Sequence, residues 1–511
     1  MITFFSAIFS LCLILLVFSR LIYKLWWKPI RIQNILRSQG IKGPSYKFMH
    51  GNTKEILKMK KEAISSSYEL SQHDVFPRIF PHFNAWIKLY GNNFLFWMGD
   101  RPQIVVTELD LVKEIVTNKE GPYKKIKPVD YIKRLLGDGL VVAEGEKWSK
   151  LRKLANHAFH GDCLKGMVPA MVASVETMLE RWGSNVGHEI EISNEFKILT
   201  SEVISRTAFG SSYIEGMNIF EMLTKLAVLN SRNAFRIRFF GIKIWKSRDE
   251  IEADRVEQSL RDSILSLVRK REEDMVRTGQ PHNFGNDFLG SLMKVNHEHD
   301  PNIRISLDDI VDECKVFYVA GHDTTSSLLS WTAFLLSNYP DWQEKAREEV
   351  LRLFGQEKPT AEGISRLKIM TMILNEALRL YTPVIAITRK VDRETKLGNY
   401  RVPKNVEVII PPLALHRNHE IWGDDARVFK PERFGDGVAK AVDGNSTAFL
   451  PFGAGPRACV GLNFAANEAK ITLCMILQRY KLRLSPNYIH APSLLLTVTP
   501  QHGIQIILSL I

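Results

Sequence analysis

Cysteine is scarce in this sequence. Five occur in 511 residues, Cys12, Cys163, Cys314, Cys459 and Cys474, and no two form a C-x-x-C pair. An odd and widely spaced set excludes a disulfide framework and a structural zinc site, and it suits a reducing compartment. Nucleotide and hydrolase signatures are missing too: there is no Walker A sequence, no H-E-x-x-H and no G-x-S-x-G. Residues 453–458 match G-x-G-x-x-A loosely, but no Asp or Glu follows Glu468. A dinucleotide site needs an acid about 20 residues further on. A redox protein without its own nucleotide site takes its electrons from a partner. Internal repeats and low-complexity tracts are also lacking, and the apolar fraction of 45% with 24% charged residues is that of a folded protein.

Acidic residues are nearly absent from the N-terminus. Residues 1–60 hold ten basic residues and one acid, so nine of the twelve net positive charges lie there. A nucleic-acid surface would repeat its basic stripe along the fold; this chain does not, which excludes nucleic acid as the partner. Residues 2–19 carry no charge, and with Arg20 and Lys24 snorkelling the stretch extends to residue 25, long enough to span a bilayer. The charges follow the apolar run instead of preceding it, unlike a cleaved signal peptide. Arg20, Lys24, Trp26, Trp27 and Lys28 then form an aromatic and basic border of the kind found at a membrane surface. The expectation is a single-pass anchor at residues 2–25 and a linker with a Gly-Pro hinge at 26–45. The body, residues 46–511, is expected on the cytosolic side, with the endoplasmic reticulum as the membrane. The sequon at Asn445 is then expected to stay unglycosylated.

In the body, residues 93–98 and 103–107 read as two strands about a Gly99-Asp100 turn. Helical periodicity dominates residues 108–380. Short strands broken by Pro and Gly follow at 384–412, a helix at 463–480, and strands about a Gln501-His502-Gly503 turn at the end. The fold class is mainly α (α+β), one large helical body with small sheets, preceded by the transmembrane helix. One helix stands out: Ser306 is its N-cap, Asp308 and Asp309 fill its first turn, and Pro340 ends it. Its length is about 50 Å. Between residues 316 and 336 its only formal charge is Asp323, a buried carboxyl that needs partners or a task.

Residues 449–461 read FLPFGAGPRACVG, a Gly-rich loop entering a helix. Backbone N–H groups and the helix dipole favour a thiolate at Cys459. Gly455 and Gly461 let the backbone approach a flat cofactor, and Arg457 is suited to a carboxylate of that cofactor. Phe452, Gly455, Arg457, Cys459 and Gly461 fit F-x-x-G-x-R-x-C-x-G, and the loop closely resembles the haem loop of the cytochrome P-450 superfamily. The resemblance implies haem b with Cys459 as the axial iron ligand, a donor that favours O–O cleavage. It implies that Asp323 and Thr324, in Ala320-Gly-His-Asp-Thr-Thr, are catalytic and guide protons during oxygen activation, with Ala320 and Gly321 leaving room for dioxygen. It implies cofactor binding by Trp148 and Arg152, which share a helix face, and by Arg389, Phe452 and Arg457. Glu376, Arg379 and Arg433 are implied as a structural brace, whereas the E-x-x-R pairs Glu252/Arg255, Glu344/Arg347 and Glu349/Arg352 read as exposed helical pairs.

Two stretches, residues 40–46 and 158–165, resemble a plant clan that oxidises hormones and terpenoid-derived metabolites; Thr382, His157 and Asn418 depart from its usual residues. The function expected is monooxygenation of a hydrophobic small molecule with dioxygen, electrons coming from an NADPH-dependent reductase. Two alternatives stay open: a haem-thiolate isomerase or dehydratase, and a non-catalytic haem-binding sensor. Lys147, Lys150 and Lys153 read as a solvated face or as a reductase contact. Residues 235–246 read as a second membrane contact or as an amphipathic cover for the core.

Overall fold

The computed structural model describes residues 2–65, 73–119, 121–128, 130–211, 213–233, 247–279 and 283–511. The membrane contact expected at residues 235–246 lies outside them. The described chain is mostly helical with small sheets, and it forms two compact units. The first comprises Met1–Ile126, Ile385–Arg427 and Asn445–Ala458; the second comprises Lys127–Val384, Val428–Gly444 and Cys459–Ile511.

In the first unit, one continuous helix, Phe4–Arg37, is long and apolar enough to cross a membrane. Its turn Tyr23–Trp27 is a π-helix, which shifts the hydrogen-bond ladder. The Tyr46 hydroxyl donates to the Leu25 carbonyl at 2.6 Å in that turn, and Trp26 meets Phe48 edge-on, 5.9 Å between ring centres. Part of the linker expected at residues 26–45 continues this helix. Lys28–Arg37 is helical, with Ile32 and Leu36 in the core. Gly43 is not a hinge but a close approach: a Cβ there would lie 1.8 Å from the Leu95 carbonyl oxygen.

A five-stranded sheet organises this unit. Its order is Asn93–Met98, Arg101–Val106, Glu407–Ile410, Ile387–Val391, Tyr123–Lys124. The expected hairpin at Gly99, φ +63°, pairs the first two strands antiparallel. Arg101–Val106 pairs Glu407–Ile410 in parallel. Leu95, Trp97, Ile104, Val106, Val408 and Ile410 join Ile32 and Leu36 in one apolar cluster.

The second unit is built around Leu307–Asn338, with Ser306 as the N-cap the sequence predicts, here closed into a capping box by Asp309. Its middle packs on Ile192–Ala208. Gly321 is small for that reason: a Cβ would lie 2.8 Å from Ile204 Cδ1. The strands expected about residues 501–503 are present, Val498–Pro500 before the turn and Gln505–Leu510 after it. Val498–Pro500 pairs back with Pro492–Leu494, while Gln505–Leu510 pairs with Tyr480–Leu484 and Glu189–Glu191. The turn at residues 501–503 thus joins two separate sheets instead of closing one hairpin.

Candidate active site

Leu307–Asn338 is buried throughout residues 313–318 and again through 325–337. Between them the burial breaks: Ala320 is exposed and residues 321–324 are half-buried. A helix sealed on both sides of such a break borders a recess there. Ala320 opens to it, whereas Gly321 serves the helix contact just described, so only one of the two small residues makes room. Thr324 Oγ1 donates back to the Ala320 carbonyl at 2.6 Å, the back-bonding that loosens a helix ladder. Asp323 Oδ2 accepts from Thr497 Oγ1 at 2.8 Å. Burial pushes the Asp323 carboxyl above its ordinary range, while the Thr497 hydrogen bond and the Lys197 charge pull it back. His322 turns to the other side, its Nδ1 2.9 Å from Thr200 Oγ1, and burial lowers it to about 3, keeping the ring neutral.

Cys459 opens the last part of the same unit, ahead of the helix Leu462–Arg479. It is exposed, yet desolvation raises its thiol, an effect that the Gly461 N–H and the Arg152 charge oppose. Exposure with desolvation describes a group on the wall of a recess. Gly461 has nothing within 4 Å of where a Cβ would sit, so the space beside the thiol is open. A soft sulfur donor, an adjacent cation and an open flank fit a haem iron held by thiolate; coordination to a metal overcomes the upward shift and deprotonates the thiol. Trp148 and Arg152 lie on Gly145–Ala158, both half-buried, and desolvation lowers the Arg152 guanidinium.

The remaining sequence-derived candidates sit in the first unit. Arg389 is buried on the strand Ile387–Val391, with Nη1 donating to the Thr388 carbonyl at 2.9 Å. Phe452 and Arg457 are half-buried, Arg457 in the 3-10 turn Gly455–Arg457. Gly455, φ +68°, would place a Cβ 2.2 Å from the Val116 carbonyl oxygen, a close approach that any side chain would block.

Glu376 and Arg379 are fully buried on Lys368–Leu380. Arg379 Nε and Nη2 donate to the carboxylate at 2.6 and 2.7 Å, and Arg433 Nε stands 3.5 Å from Glu376 Oε1. Of the other E-x-x-R pairs, Glu252/Arg255 alone is the exposed pair expected. Arg347 is buried and donates to the carbonyls of Leu477 and Tyr480. Glu349 accepts the N–H groups of Lys368, Ile369 and Met370 at 2.7–3.0 Å, capping the helix that carries Glu376. Sequence reasoning missed that cap, and also His416, whose Nε2 accepts the Leu450 N–H at 2.9 Å and so fixes the start of the cysteine loop. Lys147 is bound internally to Asp309 at 2.7 Å and Asp138 at 3.2 Å, whereas Lys153 is exposed. Asn418 caps Glu420 N, a role that needs an acceptor oxygen and no charge.

This arrangement, a thiol at the head of a helix, an acid–hydroxyl pair in the breached long helix, and a buried Glu–Arg–Arg brace, is that of a haem-thiolate oxygenase. The sequence profile of the cytochrome P-450 family matches residues 70–508, and the chain belongs to that family. It is similar to the cytochrome P-450 CYP749A22 of Panax ginseng, 56% identical and covering 98% of this chain and 95% of the relative. It is 41% identical to the 11-oxo-β-amyrin 30-oxidase of Glycyrrhiza uralensis, covering 95% and 94%. It is also 41% identical to secologanin synthase 1 of Catharanthus roseus, covering 94% and 93%. The chain is a monooxygenase-type oxidoreductase of the plant clan whose relatives act on terpenoids, and its cofactor is a haem held by thiolate.

Proposed function

We propose that this protein hydroxylates a hydrophobic terpenoid, steroid or hormone-like small molecule, with haem b ligated by Cys459 and electrons drawn from an NADPH-dependent reductase. The observation that carries the reading is the break in burial at Ala320–Thr324 on an otherwise sealed helix, in the same unit as a desolvated yet reachable Cys459. When bound, the haem supplies dioxygen activation and oxygen insertion into a C–H bond. Cys459 provides the sulfur donor, with its negative charge favoured by the Gly461 N–H and Arg152. Trp148, Arg152, Arg389, Phe452 and Arg457 would bind the haem, the arginines pairing with its carboxylates. Asp323 holds a proton, and Thr324 passes it from its hydroxyl, which the Ala320 carbonyl orients. Glu376, Arg379 and Arg433 hold the frame and take no part in the chemistry.

Residues 2–25 anchor the protein in the endoplasmic reticulum with residues 46–511 in the cytosol, because the basic flank follows the apolar run. The relatives' substrates, an oxidised β-amyrin in one printed name, support a terpenoid for this chain as well. The test is the carbon monoxide difference spectrum of the reduced protein, wild type beside Cys459→His. A strongly red-shifted Soret band, present in the wild type and lost in the variant, is the expected result. A histidine-type band in folded wild type overturns the assignment.

A further inference from the structure

The face of the long helix that carries Asp323 is a seam. Asp323, Ser327 and Trp331 follow at i, i+4 and i+8, so they lie in one row. All three bond one short stretch from the far end of the chain. Thr497 Oγ1 donates to Asp323 Oδ2 at 2.8 Å. Ser327 Oγ and Trp331 Nε1 both donate to the Val498 carbonyl at 2.7 Å. Val498 N donates in turn to the Pro383 carbonyl at 3.3 Å. The backbone groups of Val498 thus take part in three of the hydrogen bonds that hold the hairpin of Pro492–Leu494 and Val498–Pro500, two of them accepted from side chains of the long helix.

The Thr497 hydroxyl is not needed for that docking. Thr497 is 4% exposed, and a methyl group in place of its hydroxyl keeps the seam and its volume. The hydroxyl acts on one group, the carboxyl of Asp323. It fixes which way that carboxyl points, and it favours the ionised form against burial. The other charged group that acts on Asp323 is Lys197, from Ile192–Ala208; His322, the next residue on the same helix, is held neutral by burial. A proton carrier must both take up and release its proton, and burial alone would lock Asp323 in the neutral state.

We propose that Thr497 is a positioning residue for Asp323, holding its carboxyl in place and keeping it able to release a proton toward the recess. This inference rests on the haem-thiolate reading above and deepens it. It assigns a part in oxygen activation to the terminal hairpin, 174 residues from the acid it serves.

The test uses the full-length, haem-loaded protein with Thr497→Val, Thr497→Ala and Thr497→Ser. The infrared band of the neutral Asp323 carboxyl, identified by its loss in Asp323→Asn, is titrated against pH. The expected result is a titration displaced to higher pH in Thr497→Val and Thr497→Ala, and returned to the wild-type position in Thr497→Ser. NADPH oxidation with reductase and dioxygen alone is expected to fall about three- to tenfold in the Val and Ala variants and to recover in Ser. An unmoved titration, or an equal shift in all three variants, overturns the proposal. So does a shifted titration with unchanged NADPH oxidation. The carbon monoxide spectrum separates the two levels of failure. Without a thiolate band in the wild type the haem-thiolate reading itself falls; with the band intact in every variant, only the role of Thr497 is at stake. Thermal midpoints guard against misfolding: a purely structural Thr497 would lower the midpoint and leave the carboxyl titration where it was.

Discussion

Glu376→Gln should destabilise the second unit more than any exposed charge change. Glu376 and Arg379 have no solvent-accessible side-chain surface, so solvent screening does not discount the pair. Glu376 Oε2 accepts from Arg379 Nε at 2.6 Å, and Oε1 accepts from Arg379 Nη2 at 2.7 Å and Lys430 N at 2.9 Å. An amide fills the same volume but turns one of these acceptors into an NH2 donor. It then faces either Arg379 Nε or the Nη2 and Lys430 N–H groups, and donors meet donors. The buried guanidinium loses the charge of Glu376, and breaking one side of such a pair costs about 3–5 kcal/mol. At an unfolding entropy of about 2.1 cal/mol/K per residue, 511 residues turn that into a fall of about 3–5 °C in the thermal midpoint.

The assay is thermal unfolding of the haem-loaded protein followed at the Soret band. A chain of this size with a bound cofactor is not expected to be two-state, so wild type and variant are compared under one scan rate. A double-mutant cycle sharpens the test. Arg379→Met added to Glu376→Met should recover part of the loss, because the cation left behind, Arg433, keeps 11% of its side-chain surface in solvent. A Glu376→Gln midpoint within 1 °C of wild type would refute the buried-charge argument. So would a double variant that falls by the full sum of its singles.

Gly321→Ala places a methyl 2.8 Å from Ile204 Cδ1, and overpacking of that kind costs about 1–3 kcal/mol; a lower thermal midpoint with an unchanged carbon monoxide band is expected. Burial pushes the Glu313 carboxyl up to about 8. The folded state thus holds its proton more tightly than the unfolded chain, so this contribution is full below pH 4.5 and is lost as pH rises towards 8. Glu313→Gln, which keeps the acceptor for Leu140 N, should flatten the stability of the protein between pH 5 and 8 relative to wild type, as read by denaturant midpoints. From the orientation proposed above, the Asn445 sequon should show no mobility change on endoglycosidase treatment of protein from plant cells.

What the sequence made legible were the features whose causes are local. The Ser306 N-cap, the Gly99 hairpin and the Gly-rich loop at Cys459 each rest on residues within a few positions of one another. Partners distant in sequence left no such trace. Gly321 reads as room for a ligand until Ile204, on another helix, is found against it. The loose E-x-x-R pattern could not tell an exposed pair from Arg347, which is buried and tied to two carbonyls 130 and 133 residues away. Glu349 showed only that same loose pattern, and the contacts of His416 and Thr497 showed none, because each acts on a backbone or carboxyl group supplied by another segment.

Three buried carboxyls in the second unit show why the long helix is where the chemistry belongs. Burial raises Glu313, Asp323 and Glu468 alike. Glu468 is sealed, with neither oxygen bonded among the described residues, and nothing offers its proton a way out. Glu313 is also sealed, and one oxygen is committed to Leu140 N, so it serves as a clamp on a turn. Asp323 alone is half-buried, lies in the breached stretch, and has a hydroxyl and a cation from two other elements opposing its burial. A raised carboxyl becomes a proton carrier when something counters the raising and a path leads to the recess. Of these three Asp323 meets both conditions, and it meets the first in part because the terminal hairpin brings Thr497 to it.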